Sequence, residues 1–367
     1  MPLPGRSEAR GEQRTVIAEP PWLRRTPDCS VRPAVNSATA LIRGLQDAIE
    51  GTLGPLLEGE STCALLDFPS YPNVGDSAIW AGEVTYLRSR GIQITYQCDW
   101  RHYSRERLQR ALRRGGVILL QGGGNLGDLY PHHQDFRERV VRDFPASRII
   151  ILPQTIYFRD AAALSRARAI FDAHRGLTVL VRDQQSLEFA RKEFCATSLP
   201  CPDMAFMLGP LTRPQAPDWD VVWLWRNDME SIGWAPVGEQ VERFDWLDEP
   251  PGPVGWAVKH VERLFVLYPN RLRQLPGVLA HTYDLQARKR LAHGCRLLSR
   301  GRIVVTDRLH GHILSLLLGI PHVLLDNSNG KVKRFYDTWT AESDLVRWAD
   351  SPHEVADRVE KLRREST

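Results

Sequence analysis

The chain has 367 residues, a length suited to two domains at roughly 100–200 residues each. Its 43% hydrophobic and 25% charged residues are the balance of an ordinary globular protein. A net charge of only +4 implies no strong basic patch, and nucleic acid is not an expected partner.

Residues 1–33 are rich in Pro, Arg, Gly and Glu without periodicity and read as a mobile arm. The arm has no apolar stretch, so it is not a secretory signal. No run approaches the roughly 18 apolar residues of a transmembrane helix. The expected compartment is the cytoplasm, with the inner face of the membrane open to peripheral contact. None of the cysteines forms a C-x-x-C pair, so they read as reduced thiols rather than a zinc or redox motif.

From residue 34 the pattern is α/β. Leu41, Leu45, Ile49 and Leu53 mark a helix over 36–57. Apolar strands are expected at 63–68, 92–98, 117–121, 148–152 and 177–181, with helices over 77–90 and through Leu187 and Phe189. Continuous apolar strands alternating with helices imply a buried, mostly parallel sheet. Pro210, Pro214 and Pro217 mark a break, so a first domain is expected over 34–210 and a second over 218–350. The second repeats the pattern, with strands at 221–225, 303–306 and 322–325 and helices at 284–299 and 310–318. Ser351, Pro352 and Glu354 form a capping box that opens a C-terminal helix over 351–367. The stretch 233–256 has no period and receives no assignment.

Ligands of open parallel sheets bind beyond the carboxyl ends of the strands, and that rule selects the loops to inspect. After the first strand come Asn73, Gly75 and Asp76, just before a helix. Asp76 reads either as the helix cap or as a carboxylate able to accept a hydroxyl proton. After the third strand come Gly122, Gly123, Gly124, Asn125 and Asp128, a glycine run that lets backbone approach a ligand but has neither dinucleotide nor P-loop spacing. Arg182 and Asp183 follow the fifth strand, where a surface pair is the plainest alternative to a ligand role; for Arg226, Asp228 and Glu230 the plainest alternative is a solvated cluster. Arg308, His310, Gly311 and His312 join a strand to a helix. A cation at a helix N-terminus gains nothing from the dipole, so an anionic ligand is the reason expected for it. His310 and His312 could instead bind metal, or His312 could be a core residue; no third metal ligand has suitable spacing, and no metal is assigned. Lys331, Lys333 and Arg334 follow the next strand, either as a phosphate-binding loop or as a solvated basic one.

Taken together, Asn73-x-Gly75-Asp76, Gly122 to Asp128, Arg182-Asp183-x-x-Ser186, Arg226-x-Asp228-x-Glu230 and Arg308-Leu309-His310-Gly311 resemble the polysaccharide pyruvyl transferases. Asn327-x-x-Gly330-Lys331 with Phe335-Tyr336-x-x-Trp339 is similar to their bacterial exopolysaccharide branch. The resemblance spans about residues 60–345. It implies two Rossmann-like domains facing a cleft, as in GT-B glycosyltransferases, a phosphoenolpyruvate donor and a glycan or lipid-linked saccharide acceptor. Phosphoenolpyruvate is a substrate, so no cofactor is expected. Arg308 and His310 match the family's donor motif and Arg182 a second anion-binding arginine. Lys331, Lys333, Arg226 and Gly311 are expected on the donor side. Asn73, Gly75, Gly123, Gly124, Asn125 and Asp128 are expected on the acceptor side or in the cleft loops.

The expected reaction adds two sugar hydroxyls to one carbon of the donor and expels phosphate. Protonating the donor's methylene carbon needs a general acid, for which His310 is the candidate, and the attacking hydroxyl needs a base, for which Asp76 is the candidate. A nucleotide-sugar glycosyltransferase of the same fold and a non-catalytic sugar- or phosphate-binding protein are the alternatives. The first lacks a nucleotide-base signature. The second is disfavoured by the presence of both His310 and Asp76.

Overall fold

The computed structural model describes residues 33–113, 115–226, 230–232, 241–246 and 276–365, with Trp256, His260, Arg263 and Leu264 between them. The expected arm lies outside these residues except for Pro33, as do Asp228 and most of the stretch 233–281.

The first helix, α1 (Pro33–Leu56), buries Ala38, Ile42, Leu45, Ile49 and Leu53 along one stripe, the spacing of an amphipathic helix. Seven strands then form a first, fully parallel sheet: β1 (Thr62–Leu66), β2 (Gln93–Cys98), β3 (Val117–Leu120), β4 (Gly123–Gly127), β5 (Ile149–Tyr157), β6 (Leu177–Val181) and β7 (Thr197–Pro200). They lie in the order β2-β1-β3-β5-β6-β7, with β4 pairing the far end of β5. Helices α2 (Val74–Ser89), α3 (Arg105–Ala111), α4 (Pro131–Asp143), α5 (Ala161–Asp172) and α6 (Gln184–Glu193) make the crossovers.

The second sheet is also parallel. It contains β8 (Trp219–Leu224), β9 (Val241–Phe244), β10 (Gly301–Thr306), β11 (His322–Leu324) and β12 (Val346–Trp348), in the order β12-β11-β10-β8-β9. Its helices are α7 (Pro276–Ser299), α8 (Leu309–Leu317), α9 (Lys331–Phe335) and α10 (Pro352–Glu365). Each half is thus Rossmann-like, and together they have the GT-B-like arrangement expected. Among the described residues no helix is long and apolar enough to cross a membrane.

Both sheets run outward in opposite directions from their first strand. The topological switch points therefore lie between β1 and β3 and between β8 and β10. One continuous core joins the halves: α2 packs against α7 and α8, and Arg290 on α7 donates to the Pro69 carbonyl in the loop after β1 (2.8 Å).

Several elements escape the sequence pattern. The glycine run read as a loop includes the strand β4, which owes its existence to pairing with β5 rather than to β-propensity. Accordingly β5 continues to Tyr157, beyond its expected end at 152. Helices α4 and α5 and the short strands β7 and β12 had no distinguishing period.

His312 is a core residue. Its ring is buried against His322 in a chain that assigns every proton. His322 Nδ1–H donates to the Ile320 carbonyl (2.9 Å), His312 Nδ1–H to His322 Nε2 (2.7 Å), and the Thr340 hydroxyl to His312 Nε2 (2.9 Å). Burial lowers both rings below the usual imidazole range, His322 to about 4. The folded state holds them neutral while the unfolded chain titrates near ~6.5, so stability is full above that value and is lost as pH falls toward 4. For His322 alone the loss at pH 5 is about 2 kcal/mol. Urea midpoints between pH 7 and pH 5 should therefore fall more steeply for the wild type than for His322→Gln; equal slopes would contradict the account.

Candidate active site

The two switch points face each other across a cavity of about 200 Å³. Tyr71, Asn73, Asp76, Gly124, Asn125, Tyr130 and Arg182 line it from the first half. Arg226, Glu230, Trp246, Arg308, Leu309, His310 and Lys331 line it from the second. Most of the residues singled out by loop position thus meet in one place.

Asn73, not Asp76, caps α2: its side chain accepts from the amides of Gly75 (2.8 Å) and Asp76 (3.4 Å). The Asp76 carboxylate is left to face the cavity, where Tyr71 Oη donates to Oδ2 (2.8 Å). Gly75 is required by its neighbour rather than by its backbone angles. A Cβ there would lie 2.5 Å from Nδ1 of His310, so the N-terminal turn of α2 packs directly on that ring.

The glycine run is held from behind. Arg137, fully buried, donates to Asn125 Oδ1 (2.6 Å), to the Asn125 carbonyl (3.0 Å) and to the Gln121 carbonyl (3.3 Å), and pairs with Asp67 (3.1 Å). Gln154 bridges Gln121 and Asn125 from β5. Gly123 sits over Asp76, and Gly124 lies against Arg182 and Lys331.

Each cation of the cavity is anchored by a carboxylate. Arg182 is 1% exposed and pairs with Asp203 (2.5 Å) while its Nε donates to Thr155 (3.1 Å). Arg226 and Lys331 both grip Glu230 (2.7 and 2.5 Å). Arg308 binds both oxygens of Asp245 (2.8 and 2.6 Å) and lies over the Trp246 ring. Burial would raise the Glu230 carboxyl, but Lys331 and Arg226 bring it down to about 2. Burial lowers the Lys331 ammonium, and Glu230 offsets part of that fall. The N-termini of α2 and α8 turn their positive dipole ends toward the same cavity.

His310 stands on the first turn of α8, 11% exposed, with Nε2 3.4 Å from Asp203 Oδ2, a charge contact without hydrogen-bond alignment. Asp203 caps the short 3-10 turn Met204–Leu208 through the Ala205 amide (2.9 Å). Burial would push its carboxyl up, but His310 and Arg182 hold it well below the usual range. One buried carboxylate therefore anchors residues of both halves. The interface is tied again by Tyr130 Oη to Glu230 (3.0 Å) and by Trp339 Nε1 to the Arg182 carbonyl (2.9 Å).

Two plain alternatives fail, and several expected site residues lie outside the lining. Arg182 and Asp183 are not a surface pair: Arg182 is buried on Asp203, and Asp183 caps α6 through the Ser186 amide (2.8 Å). Arg226 and Glu230 are not solvated but buried. Lys333 points away from the cavity, paired with Asp337 and set over the Tyr336 and Trp348 rings, because it follows Lys331 by two residues on a helical turn. Gly75, Gly123, Gly311 and Asp128 also lie outside the lining, the first two directly behind it. A Cβ on Gly311 would strike Thr306 and Leu224, so its role is the packing of α8 on the sheet. Asp128 accepts from the backbone amide of Arg159 (2.7 Å) at the end of β5 and from that of Asp160.

Residues 73–329 match the family model described as polysaccharide pyruvyl transferase. The chain is 33% identical over 314 residues to "Pyruvyl transferase 1" of Schizosaccharomyces pombe, covering 83% of this chain and 75% of that one. It is 32% identical over 296 residues to EpsO of Bacillus subtilis, a pyruvyl transferase by its assigned name, covering 80% and 90%. Among solved structures, a functionally uncharacterised protein of Klebsiella pneumoniae has the same fold, with a TM-score of 0.53 at 17% identity, covering 84% of this chain and 99% of that one.

Proposed function

The chain belongs to the polysaccharide pyruvyl transferase family, and from that membership we propose that it moves the pyruvyl group of phosphoenolpyruvate onto two hydroxyls of a sugar as a ketal, releasing phosphate. The observation that carries this reading is the convergence of Arg182, Arg226, Arg308 and Lys331 with His310 and Asp76 in one small cavity. The donor has a carboxylate and a phosphate, and fixed guanidinium forks suit both. The cavity volume of about 200 Å³ suits a donor of this size better than a nucleotide sugar.

In the first step His310 protonates the methylene carbon of the donor, leaving positive charge at the neighbouring carbon. A sugar hydroxyl adds there as Asp76 takes its proton. The second hydroxyl then replaces the phosphate, giving its proton to the His310 imidazole left neutral by the first step, while the departing phosphate takes the proton held by Asp76 and its charge is received by Arg308, Lys331 and Arg226. Asp203, charged throughout, is the counter-ion of the imidazolium. Acceptor attack comes from the side of α2, where Asp76 stands, in exopolysaccharide or cell-surface glycan synthesis.

Removing Arg308 tests the donor assignment. Arg308→Ala is best made together with Asp245→Asn, because Asp245 would lose its bidentate partner. Against Asp245→Asn alone, the double variant should bind phosphoenolpyruvate about tenfold to a hundredfold more weakly by calorimetry, the worth of one charge-assisted hydrogen bond. Unchanged affinity would remove Arg308 from the donor site.

A further inference from the structure

A second depression, of about 460 Å³, opens where β4 and β5 end. It is larger than the donor cavity and falls in the ordinary range for a ligand site. Tyr157, Arg159, Arg166, Asp128, Leu129 and Asp135 are among the residues that line it. The loop from Asp128 to Pro131 is a shared wall: Tyr130 faces the donor cavity, while Leu129 and Pro131 face the groove. Gly124 lines the donor cavity and Gly127 ends the same strand, a separation of about 10 Å at ~3.3 Å per residue.

The groove's charges do not suit an anion. Arg166 is held by Asp135 (3.0 Å) and Glu138 (2.8 Å), and Arg159 Nε donates to Tyr157 Oη (2.5 Å). The carboxylates of Asp128, Asp135 and Asp160 on its lining outnumber these two arginines. What the walls offer is both donors and acceptors beside the half-exposed Tyr157, with the Arg159 guanidinium over its ring, which matches an uncharged polyhydroxylated molecule.

We propose that this groove binds the sugar units adjoining the one that receives the pyruvyl group, so that the acceptor is an oligosaccharide crossing the shared wall of Asp128 to Pro131. The proposal rests on the pyruvyl-transfer reading for which sugar reacts, but the groove can be tested separately. The full chain, fluorescently labelled and supplied with phosphoenolpyruvate, is applied to an array of defined oligosaccharides of at least three units. Tyr157→Ala and Arg159→Ala alter exposed or half-exposed side chains and should leave thermal melting intact. The wild type should be retained on a subset of glycans, and each variant should be retained about tenfold less, with phosphoenolpyruvate affinity unchanged by calorimetry. Equal retention of the variants, or no retention of the wild type on any glycan, overturns the groove. Glycan retention that depends on Tyr157 and Arg159, together with no binding of phosphoenolpyruvate by the wild type, leaves the groove standing and overturns the transfer reading instead.

Discussion

His310→Asn should fold, bind phosphoenolpyruvate with near wild-type affinity, and lose about 10²–10⁴-fold of turnover, the usual contribution of a general acid. The side chain touches the cavity with little exposure, and its ring is confined between Gly75 and Asp203. Asparagine can fill part of that space and hydrogen-bond, but it cannot deliver a proton to carbon. The same argument makes Gly75 sensitive, since any added carbon there displaces the ring. Turnover within a few-fold of wild type in a folded His310→Asn variant would assign the acid to another group.

Asp76→Asn should cost turnover on the same scale, about 10²–10⁴-fold, and for a different reason. The amide is nearly isosteric and can still accept from Tyr71, yet it cannot take the hydroxyl proton. The helix is unaffected because Asn73 is its cap. Donor affinity should be spared, in contrast to the Arg308 variant, since the carboxylate would if anything repel the donor. Calorimetry alongside steady-state turnover separates the two. Loss of donor binding with intact chemistry in Asp76→Asn would place the donor on the α2 side and reverse the arrangement.

The legible part of this chain was its strand ends. Periodicity placed β1, β3, β6 and β10 within a residue or two, and the rule that ligands sit beyond the carboxyl ends then pointed to Asp76, Gly124, Arg308, His310 and Lys331. Asp203 follows β7, a short edge strand of Thr, Ser, Leu and Pro with no period, so nothing in the sequence marks its loop as a strand end. Asp245 and Trp246 lie in a stretch of Pro, Gly and Trp where periodicity has nothing to act on. Tyr71 and Tyr130 face the cavity from loops, and only the fold shows which way a loop tyrosine turns. Lys333 shows the converse: a basic run at a strand end reads as one unit, but residues two apart on a helical turn face opposite ways.

In the proposed reaction, carbon passes from donor to sugar. Phosphoenolpyruvate labelled with ¹³C at its second carbon, incubated with the protein and an acceptor glycan, should yield a glycan bearing a labelled quaternary ketal carbon by NMR. One phosphate should be released per ketal formed, and mild acid should return labelled pyruvate. Phosphate release with no label in the glycan, or a glycan extended only when a nucleotide sugar is supplied, would contradict the account.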